Sequence, residues 1–242
     1  MILLANGCSW TFGGSLNLDY ESQTEQRLES VWPHHLGKNL NANEVINLGT
    51  GCGSNQRIVR TTFEWLIKQS PEQLKDTVAV IQWTEPTRYE YYEPVEYHNS
   101  LENIPDRWAK VKIDVCLQSE HTPDGYKFAF ERSQRRFETN SYQENMYESI
   151  DKLSAMARIF ETFGVKYFYW NYIDFSYTYP QNIKEYYINK FPWIDNPGND
   201  PAYMTAEDWW QYDRVSPTDA HPSFQGHREL ADIIYSKIKN RL

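Results

Sequence analysis

The sequence contains no long apolar run, and its start is only briefly hydrophobic. No segment approaches the ~20 consecutive apolar residues that a membrane-spanning helix needs, which excludes a transmembrane helix. Residues 1–5 are apolar, but they are too few for a signal peptide and carry no basic leader. We therefore expect a protein that is made and folded in the cytoplasm.

Cysteine is scarce. Cys8, Cys52 and Cys116 form an odd and sparse set, which suits a reducing compartment better than a disulfide framework. No spacing typical of a metal site is present among the potential ligands. We therefore expect neither disulfides nor a metal, and no cofactor is indicated.

Basic residues are outnumbered by acidic ones. The chain has 24 Lys and Arg against 33 Asp and Glu, and its formal net charge is −9. Nucleic-acid-binding proteins usually gather positive charge on one face, so a nucleic-acid partner is not expected. The local cluster of Arg132, Arg135 and Arg136 is interpreted as the solvated face of a helix.

Aromatic residues, by contrast, are abundant, with 9 Trp, 18 Tyr and 11 Phe in 242 residues. The rings could belong to a core and surface rich in amphipathic side chains, or some could form platforms for a sugar or another flat ligand. Composition leaves both alternatives open. The length suits one α/β domain, so residues 1–242 are expected to form a single domain.

Short apolar runs alternate with amphipathic helical patterns. The runs predict buried parallel strands at residues 2–5, 44–48, 77–83 and 165–172. Helices are predicted between Ser54 and Pro71, and over residues 144–163 and 223–238. The inward face of the first helix is predicted to comprise Ile58, Val59, Phe63, Leu66 and Ile67. This alternation predicts an α/β fold with a doubly wound parallel sheet.

Two insertions interrupt the alternation. Residues 89–140 are polar and aromatic, with strands predicted at 110–116 and 126–130 that could pair as a hairpin. Residues 174–217 are rich in Tyr, Trp, Pro and Asn, with one short helix predicted at 183–189. Irregular segments of this length are more often lids or binding loops than simple connections.

A serine follows the first predicted strand, in Gly7-Cys8-Ser9. A hydroxyl at a strand-to-helix turn lies at the positive end of the helix, where developing negative charge is favoured. The same position also suits an ordinary N-cap. The motif therefore needs support from elsewhere in the chain.

That support comes from Asp219-Ala220-His221-Pro222, just before the last predicted helix. A serine hydroxyl becomes an effective nucleophile when a base takes its proton, and a carboxylate can hold a His in the correct orientation for this task. Asp219 can reach the His221 ring across two residues of extended chain. His227 is the competing base, but its predicted place inside the helix favours His221.

Residues 47–55 follow the second predicted strand and are rich in glycine. Glycines allow backbone amides to approach a ligand closely, and the following helix adds its N-terminal dipole. The turn could donate to an oxyanion or cradle a phosphate. It lacks the Lys of a P-loop and the spacing of a dinucleotide fingerprint.

The three motifs, in this order, resemble those of the SGNH hydrolases, also called GDSL esterases and lipases. Residues 7–9 match the block with the nucleophilic serine, and residues 47–55 match the oxyanion block. Residues 219–222 match the last block, Asp-x-x-His, in its Asp-x-His-Pro form. The resemblance implies a flavodoxin-like, three-layer α/β/α fold. It also implies an esterase with a triad of Ser9, His221 and Asp219 and a backbone oxyanion hole, with no cofactor.

Two departures from the family pattern are mild. Cys8 replaces an Asp that is not part of the triad. Cys52, flanked by Gly51 and Gly53, stands at the usual glycine of the second block, where the backbone amide remains available as a donor. The resemblance therefore still implies oxyanion donors at Cys52 and Gly53.

The third departure is more serious. Residues 82–86 read Gln-Trp-Thr-Glu-Pro where Gly-x-Asn-Asp is expected, and Glu85 falls on the position of the Asn donor. An ionised carboxylate cannot donate a hydrogen bond to an oxyanion. Thr84, Asn55 or a protonated Glu85 could supply the missing donor, and losing one donor typically costs ~10²–10³ in rate.

The sequence thus favours an ester hydrolase, with a small-molecule or carbohydrate ester as substrate. An O-acetylated carbohydrate is the preferred class, because the aromatic insertions could stack on sugar faces. An acyltransferase would use the same triad. A non-catalytic carbohydrate-binding module on the same scaffold is the third alternative, and the argument for it is Glu85 at the donor position.

Overall fold

The computed structural model describes residues 1–16, 25–92, 108–112, 135, 139, 141–171, 213–217 and 219–242. The strand predicted at 126–130, the helix predicted at 183–189, Cys116 and two members of the arginine cluster lie outside these ranges. The strands are β1 (Ile2–Asn6), β2 (Glu44–Asn47), β3 (Thr77–Trp83), β4 (Arg88–Tyr92), β5 (Trp108–Lys112), β6 (Lys166–Asn171), β7 (Arg214–Ser216) and β8 (Asp219–Pro222). The helices are α1 (Ser9–Phe12), α2 (Glu25–Ser30), α3 (Trp32–Asn39), α4 (Asn55–Leu66), α5 (Pro71–Lys75), α6 (Tyr142–Phe163) and α7 (Phe224–Ile238), followed by a 3₁₀ turn at Lys239–Arg241.

The four strands predicted as buried and parallel form one sheet, in the order β2-β1-β3-β6. Every pairing within it is parallel, as in the contacts of β1 with β2 and with β3. The strand predictions are confirmed, and no observed boundary differs from its prediction by more than one residue. Because the strands are parallel, the turns that follow β1, β2 and β3 leave from the same edge of the sheet.

Alternate residues of the sheet pack into two apolar clusters on its two faces. In β1, Leu3 and Ala5 belong to one cluster and Leu4 to the other. The first cluster includes residues of α3 and α7, and the second includes residues of α4 and α6. Each fully buried Leu or Ile contributes about 1.5–3 kcal/mol. Helices therefore cover both faces, and the predicted three-layer α/β/α fold is confirmed.

Helix boundaries follow capping residues in the sequence. Ser54 caps α4 by accepting a hydrogen bond from the Arg57 amide (3.2 Å), and Ser223 caps α7 in the same way. Ser141 caps α6, which ends at Gly164 in the left-handed conformation (φ 69°). The helices predicted at 144–163 and 223–238 are thus confirmed. Within the described ranges, no helix has both the length and the apolar character needed to cross a membrane.

Helix α4 differs from its prediction in its end and in its inward face. Pro71 begins α5 and does not end α4. Phe63 and Ile67, predicted to face inward, are 41% and 54% exposed. Thr62 is buried in their place, because its hydroxyl accepts a hydrogen bond from the Asn6 side chain at the end of β1 (2.8 Å). A polar contact therefore determines which face of the helix meets the sheet.

The first insertion begins with an antiparallel pair of strands, β4 and β5. The strand predicted at 110–116 starts earlier, at residue 108, and its observed partner is β4. Glu90 on β4 is buried and accepts hydrogen bonds from Arg60 on α4, at 2.9 Å from Nε and 3.0 Å from Nη2. This bidentate ion pair fixes the strand pair to the helix layer.

Candidate active site

The turn after β1 is held by a buried asparagine. Asn6 Nδ2 contacts the hydroxyls of Thr61 (2.9 Å) and Thr62 (2.8 Å) on α4, and its Oδ1 accepts a hydrogen bond from the Gly7 amide (2.8 Å). Asn6 is fully buried, so these bonds are shielded from water. The end of the central strand is therefore tied to α4 just before Ser9.

Gln82, near the end of β3, holds the same turn from the neighbouring strand. Its Oε1 accepts hydrogen bonds from Thr11 Oγ1 (2.6 Å) and the Cys8 amide (3.3 Å), and its Nε2 lies 3.3 Å from Cys8 Sγ. A side chain at Gly7 would clash with both Thr11 and Gln82. No motif predicted a role for Gln82. The available signal was a glutamine near the end of a strand that is otherwise apolar apart from its first residue, Thr77.

Ser9 is the first residue of α1, and its side chain meets a histidine from the other end of the chain. Ser9 Oγ lies 2.8 Å from His221 Nε2. On the other side of the ring, His221 Nδ1 lies 2.6 Å from Asp219 Oδ1. The three side chains predicted as a triad therefore form one continuous chain of hydrogen bonds, from hydroxyl to imidazole to carboxylate.

The short strand β8 presents the carboxylate and the ring together. The Asp219 amide donates to Ser216 Oγ (3.0 Å) on β7, and Asp219 Oδ1 accepts a second hydrogen bond from the His221 amide (3.0 Å). Burial raises the pKa of Asp219, but hydrogen bonds from the His221 amide, the Ser15 hydroxyl and the His221 ring outweigh this effect. The pKa of Asp219 therefore lies below its ordinary value, which favours the ionised form.

Three residues that no motif predicted also contact this group. The Trp10 ring centroid lies 6.4 Å from that of His221. A β-carbon on Gly14 would lie 3.0 Å from Ser9 Cβ and 3.3 Å from two atoms of the His221 ring, so a glycine allows the backbone to pass closely over the pair. Ser15 Oγ lies 3.4 Å from His221 Nδ1.

The glycine-rich segment at 47–53 packs against the Ser9 turn. Asn47 Nδ2 donates to the Thr11 carbonyl (2.9 Å), and the Thr50 amide donates to the Gly7 carbonyl (3.3 Å). The two segments therefore meet at the edge of the sheet where β1 and β2 end. Their mutual hydrogen bonds make them one structural unit.

The two predicted backbone donors of this segment differ in their environment. The Gly53 amide donates to the Thr50 carbonyl (3.2 Å). Cys52 is exposed, with a left-handed backbone (φ 55°), and its amide has no acceptor among the described residues. Of the two amides, only that of Cys52 remains available to a ligand.

Asn55 and Thr84 contact each other. Asn55 Nδ2 donates to the Thr84 carbonyl (3.0 Å) and lies 3.3 Å from Ser149 Oγ, while its Oδ1 accepts from the Thr84 amide (2.9 Å). Both amide hydrogens of Asn55 thus have acceptors within the protein. The Thr84 hydroxyl is buried without a hydrogen-bond partner in the described part of the chain.

Glu85, at the position where the SGNH pattern has a donor asparagine, forms an ion pair. Its Oε2 lies 3.3 Å from Arg88 Nε, and its carbonyl accepts a hydrogen bond from the Arg88 amide (3.2 Å). Both contacts stabilise the turn between β3 and β4. Across the described ranges, no group of three or more His, Cys, Asp or Glu side chains is arranged to hold a metal ion.

His227, the competing base, is completely buried on α7. Its Nδ1 accepts a hydrogen bond from the backbone amide of Trp32, the first residue of α3 (3.2 Å). Burial, with smaller contributions from His35 and His221, lowers the pKa of His227 to about 3. His227 is therefore a neutral ring whose hydrogen bond joins α7 to α3. The partner of Ser9 Oγ is His221, not His227.

Comparison with solved structures gives two proteins of similar fold. One is a lipolytic protein of the G-D-S-L family from Desulfitobacterium hafniense DCB-2, with a TM-score of 0.51, 14% identity and coverage of 98% of both chains. The other is TesA, with a TM-score of 0.50, 14% identity and coverage of 100% of both chains. At this identity, the similarity concerns the fold.

Sequence comparison adds a family. No curated protein matches the chain significantly. Residues 17–187 match the family described as "Family of unknown function (DUF6071)". The matched segment spans more than half of the 242 residues; it includes residues 47–55 and ends before β8. The chain therefore belongs to DUF6071, a family of unknown function.

Proposed function

We propose that this protein is a serine hydrolase that cleaves ester bonds, with Ser9 as nucleophile, His221 as general base and Asp219 as the group that orients the ring. One observation carries the proposal: Ser9 Oγ is 2.8 Å from His221 Nε2, whose Nδ1 is 2.6 Å from Asp219 Oδ1. These distances suit proton transfer without rearrangement. The fold shared with a G-D-S-L lipolytic protein supports the same reaction class.

The reaction follows from this arrangement. Ser9 Oγ attacks the ester carbonyl carbon while its proton passes to His221 Nε2, and Asp219 stabilises the resulting imidazolium through Nδ1. Collapse of the tetrahedral intermediate breaks the ester C–O bond, and the leaving alkoxide takes the proton from Nε2. Water then attacks the acyl-enzyme with His221 as base again. The products are a carboxylic acid and an alcohol, and Ser9 regains its proton.

We assign the oxyanion hole to backbone amides. Ser9 is the first residue of α1, where an amide has no intrahelical acceptor, and the Cys52 amide is also without an acceptor in the described part of the chain. The contacts of Asn55 and Gly53 leave them little capacity to donate. Glu85 and its ion pair then serve the fold, so the missing Asn does not argue against catalysis.

The triad alone determines neither the acyl acceptor nor the substrate. Water as acceptor gives a hydrolase, and a hydroxyl compound gives an acyltransferase with the same triad. Analysis of products with and without added sugar or alcohol acceptors distinguishes the two. Screening O-acetylated sugars against simple aryl esters tests the carbohydrate preference expected from the aromatic content.

A fluorophosphonate probe and a short-chain aryl ester test the proposal. Labelling of the wild type should disappear in Ser9→Ala, and both Ser9→Ala and His221→Ala should lose about 10⁴-fold or more in kcat. His227→Asn is the matched control, because it keeps an acceptor for the Trp32 amide and should retain activity. If the folded wild type shows neither labelling nor hydrolysis across a broad pH range, the result would support the alternative of a non-catalytic carbohydrate-binding module.

A further inference from the structure

We propose that Asn47 is a positioning residue, which fixes the Cys52 amide of the oxyanion hole against the helix that carries Ser9. This inference rests on the proposed function of the same site. Asn47 is the last residue of β2. Its side chain forms one hydrogen bond to the backbone of each of the two segments, and it therefore acts on the reaction through them.

The amide nitrogen of Asn47 holds the carboxyl end of α1. Nδ2 donates to the Thr11 carbonyl (2.9 Å). Carbonyls in the last turn of a helix have no donor within the helix, and α1 comprises only Ser9–Phe12. Asn47 supplies the donor from outside. The segments are in close contact here, because a β-carbon on Gly49 would lie 2.8 Å from Thr11 Cγ2.

The amide oxygen of the same side chain shapes the turn after β2. Oδ1 accepts a hydrogen bond from the Gly49 amide (2.9 Å), an Asx turn in which a side chain takes the place of a backbone carbonyl. A second turn follows directly, in which the Gly53 amide donates to the Thr50 carbonyl (3.2 Å). Cys52 lies within this second turn and has a left-handed backbone. The Asx turn therefore sets the starting point of the turn that presents the Cys52 amide.

The segment that follows β2 is attached to the Ser9 turn on both sides of Ser9. Before Ser9, the Thr50 amide donates to the Gly7 carbonyl (3.3 Å). After Ser9, the Asn47 side chain reaches Thr11. Two points of attachment fix an orientation as well as a distance. Without the Asn47 contact, the segment can turn about the remaining one.

The consequence for the reaction concerns the transition state. Oxyanion donors act there, because negative charge develops on the carbonyl oxygen. The Ser9 and Cys52 amides belong to different segments, so the distance between them depends on the contacts that join those segments. A displacement of about 1 Å can cost ~10² in rate. Loss of the Asn47 contact should therefore lower kcat and leave KM nearly unchanged.

Two substitutions remove the donor of Asn47 and keep an acceptor for the Gly49 amide. In Asn47→Ser the side chain is too short to reach Thr11, and kcat should fall about tenfold. Asn47→Asp places a carboxylate against the Thr11 carbonyl, so its loss should be larger, with KM within about twofold of the wild type in both variants. The matched control is Asn39→Ser, which removes an exposed hydrogen bond to Asp232 (2.8 Å) between α3 and α7 and should keep the wild-type kcat.

Phosphorus NMR of the fluorophosphonate-labelled protein separates a displaced oxyanion hole from a general loss of stability. The phosphonyl oxygen stands in for the oxyanion of the tetrahedral intermediate, so the phosphorus chemical shift reports the hydrogen bonds to that oxygen. The shift should differ from the wild type in both Asn47 variants and stay unchanged in Asn39→Ser. Wild-type kcat in either folded Asn47 variant would overturn the inference, and so would a slower variant whose phosphorus shift has not moved.

A measurement that needs no reaction distinguishes this inference from the proposed function. If the wild type neither hydrolyses esters nor reacts with the probe, the proposed function fails. The nuclear Overhauser effect between the Thr11 methyl group and the Gly49 α-protons then measures the contact between the two segments. It should be as strong in Asn39→Ser as in the wild type, and weaker in both Asn47 variants. An undiminished effect in those variants would show that Asn47 does not position the segment.

Discussion

The turns that leave β1 and β3 lie side by side, yet they use their polar groups in opposite ways. After β1, buried Asn6 and Gln82 hold the backbone from behind, and the Ser9 hydroxyl is left to meet His221. After β3, the Thr84 backbone is bound on both sides by Asn55, and Glu85 pairs with Arg88. The first turn directs a polar group outward to the site, and the second keeps its polar groups for internal contacts.

This difference explains how the chain can lack the third SGNH motif and still bring Ser9, His221 and Asp219 into hydrogen-bond contact. In the second turn, hydrogen bonds to Asn55 satisfy the Thr84 backbone groups, which would otherwise be buried at a cost of about 1–3 kcal/mol each. In the first turn, the contacts with Asn6 and Gln82 position the backbone that carries Ser9. Removal of the hydrogen bonds that hold the two turns should therefore have different effects: loss of rate after β1, and loss of stability after β3.

Gln82→Met should lower the rate more than either Asn55→Ala or Thr84→Val. It keeps the approximate volume but removes the acceptor for Thr11 Oγ1 and the Cys8 amide. The Ser9 turn can then shift, and a displacement of about 1 Å can cost ~10² in rate. The measurement is kcat/KM at a temperature where the variant is fully folded by circular dichroism.

The control for Gln82→Met is Ile81→Val, one residue earlier on the same strand and in the cluster on the α4 side of the sheet. It should lower the stability by about 0.5–1.5 kcal/mol and leave the rate unchanged. Equal losses of rate in the two folded variants would mean that Gln82 acts only through general stability of β3.

Asn55→Ala should have the opposite profile. It leaves the Thr84 amide and carbonyl without partners, and the free energy of unfolding should fall by about 2–3 kcal/mol. Because both Asn55 amide hydrogens already have acceptors, kcat/KM of the folded variant should change by less than about threefold. Denaturant unfolding and aryl-ester kinetics test the two parts. A stable variant with a ~10²-fold lower rate would identify Asn55 as an oxyanion donor.

The features predicted from the sequence are those with a local pattern. β3 was predicted at its observed boundaries because its residues are mostly apolar or β-branched and lie between turns. The end of α6 was predicted from Gly164. The candidate triad was predicted from two short motifs, and the structure brings Ser9 and His221 together.

The features that were missed depend on contacts between distant segments. Gln82 reaches Cys8 across 74 positions of the sequence, and the inward face of α4 depends on Asn6, which lies 56 positions from Thr62. Such contacts leave no periodic signal in either segment.

Thr84→Val is the smallest change and the most direct test of an oxyanion hole made of backbone amides. The Thr84 hydroxyl is fully buried with no partner in the described ranges, so replacing it with a methyl group of similar size should raise the free energy of unfolding by up to about 1 kcal/mol. If the Ser9 and Cys52 amides suffice, kcat should stay within about threefold of the wild type. A loss of ~10²–10³ in kcat, with unchanged stability, would instead show that Thr84 rotates to donate to the oxyanion, and that the turn after β3 takes part in the chemistry after all.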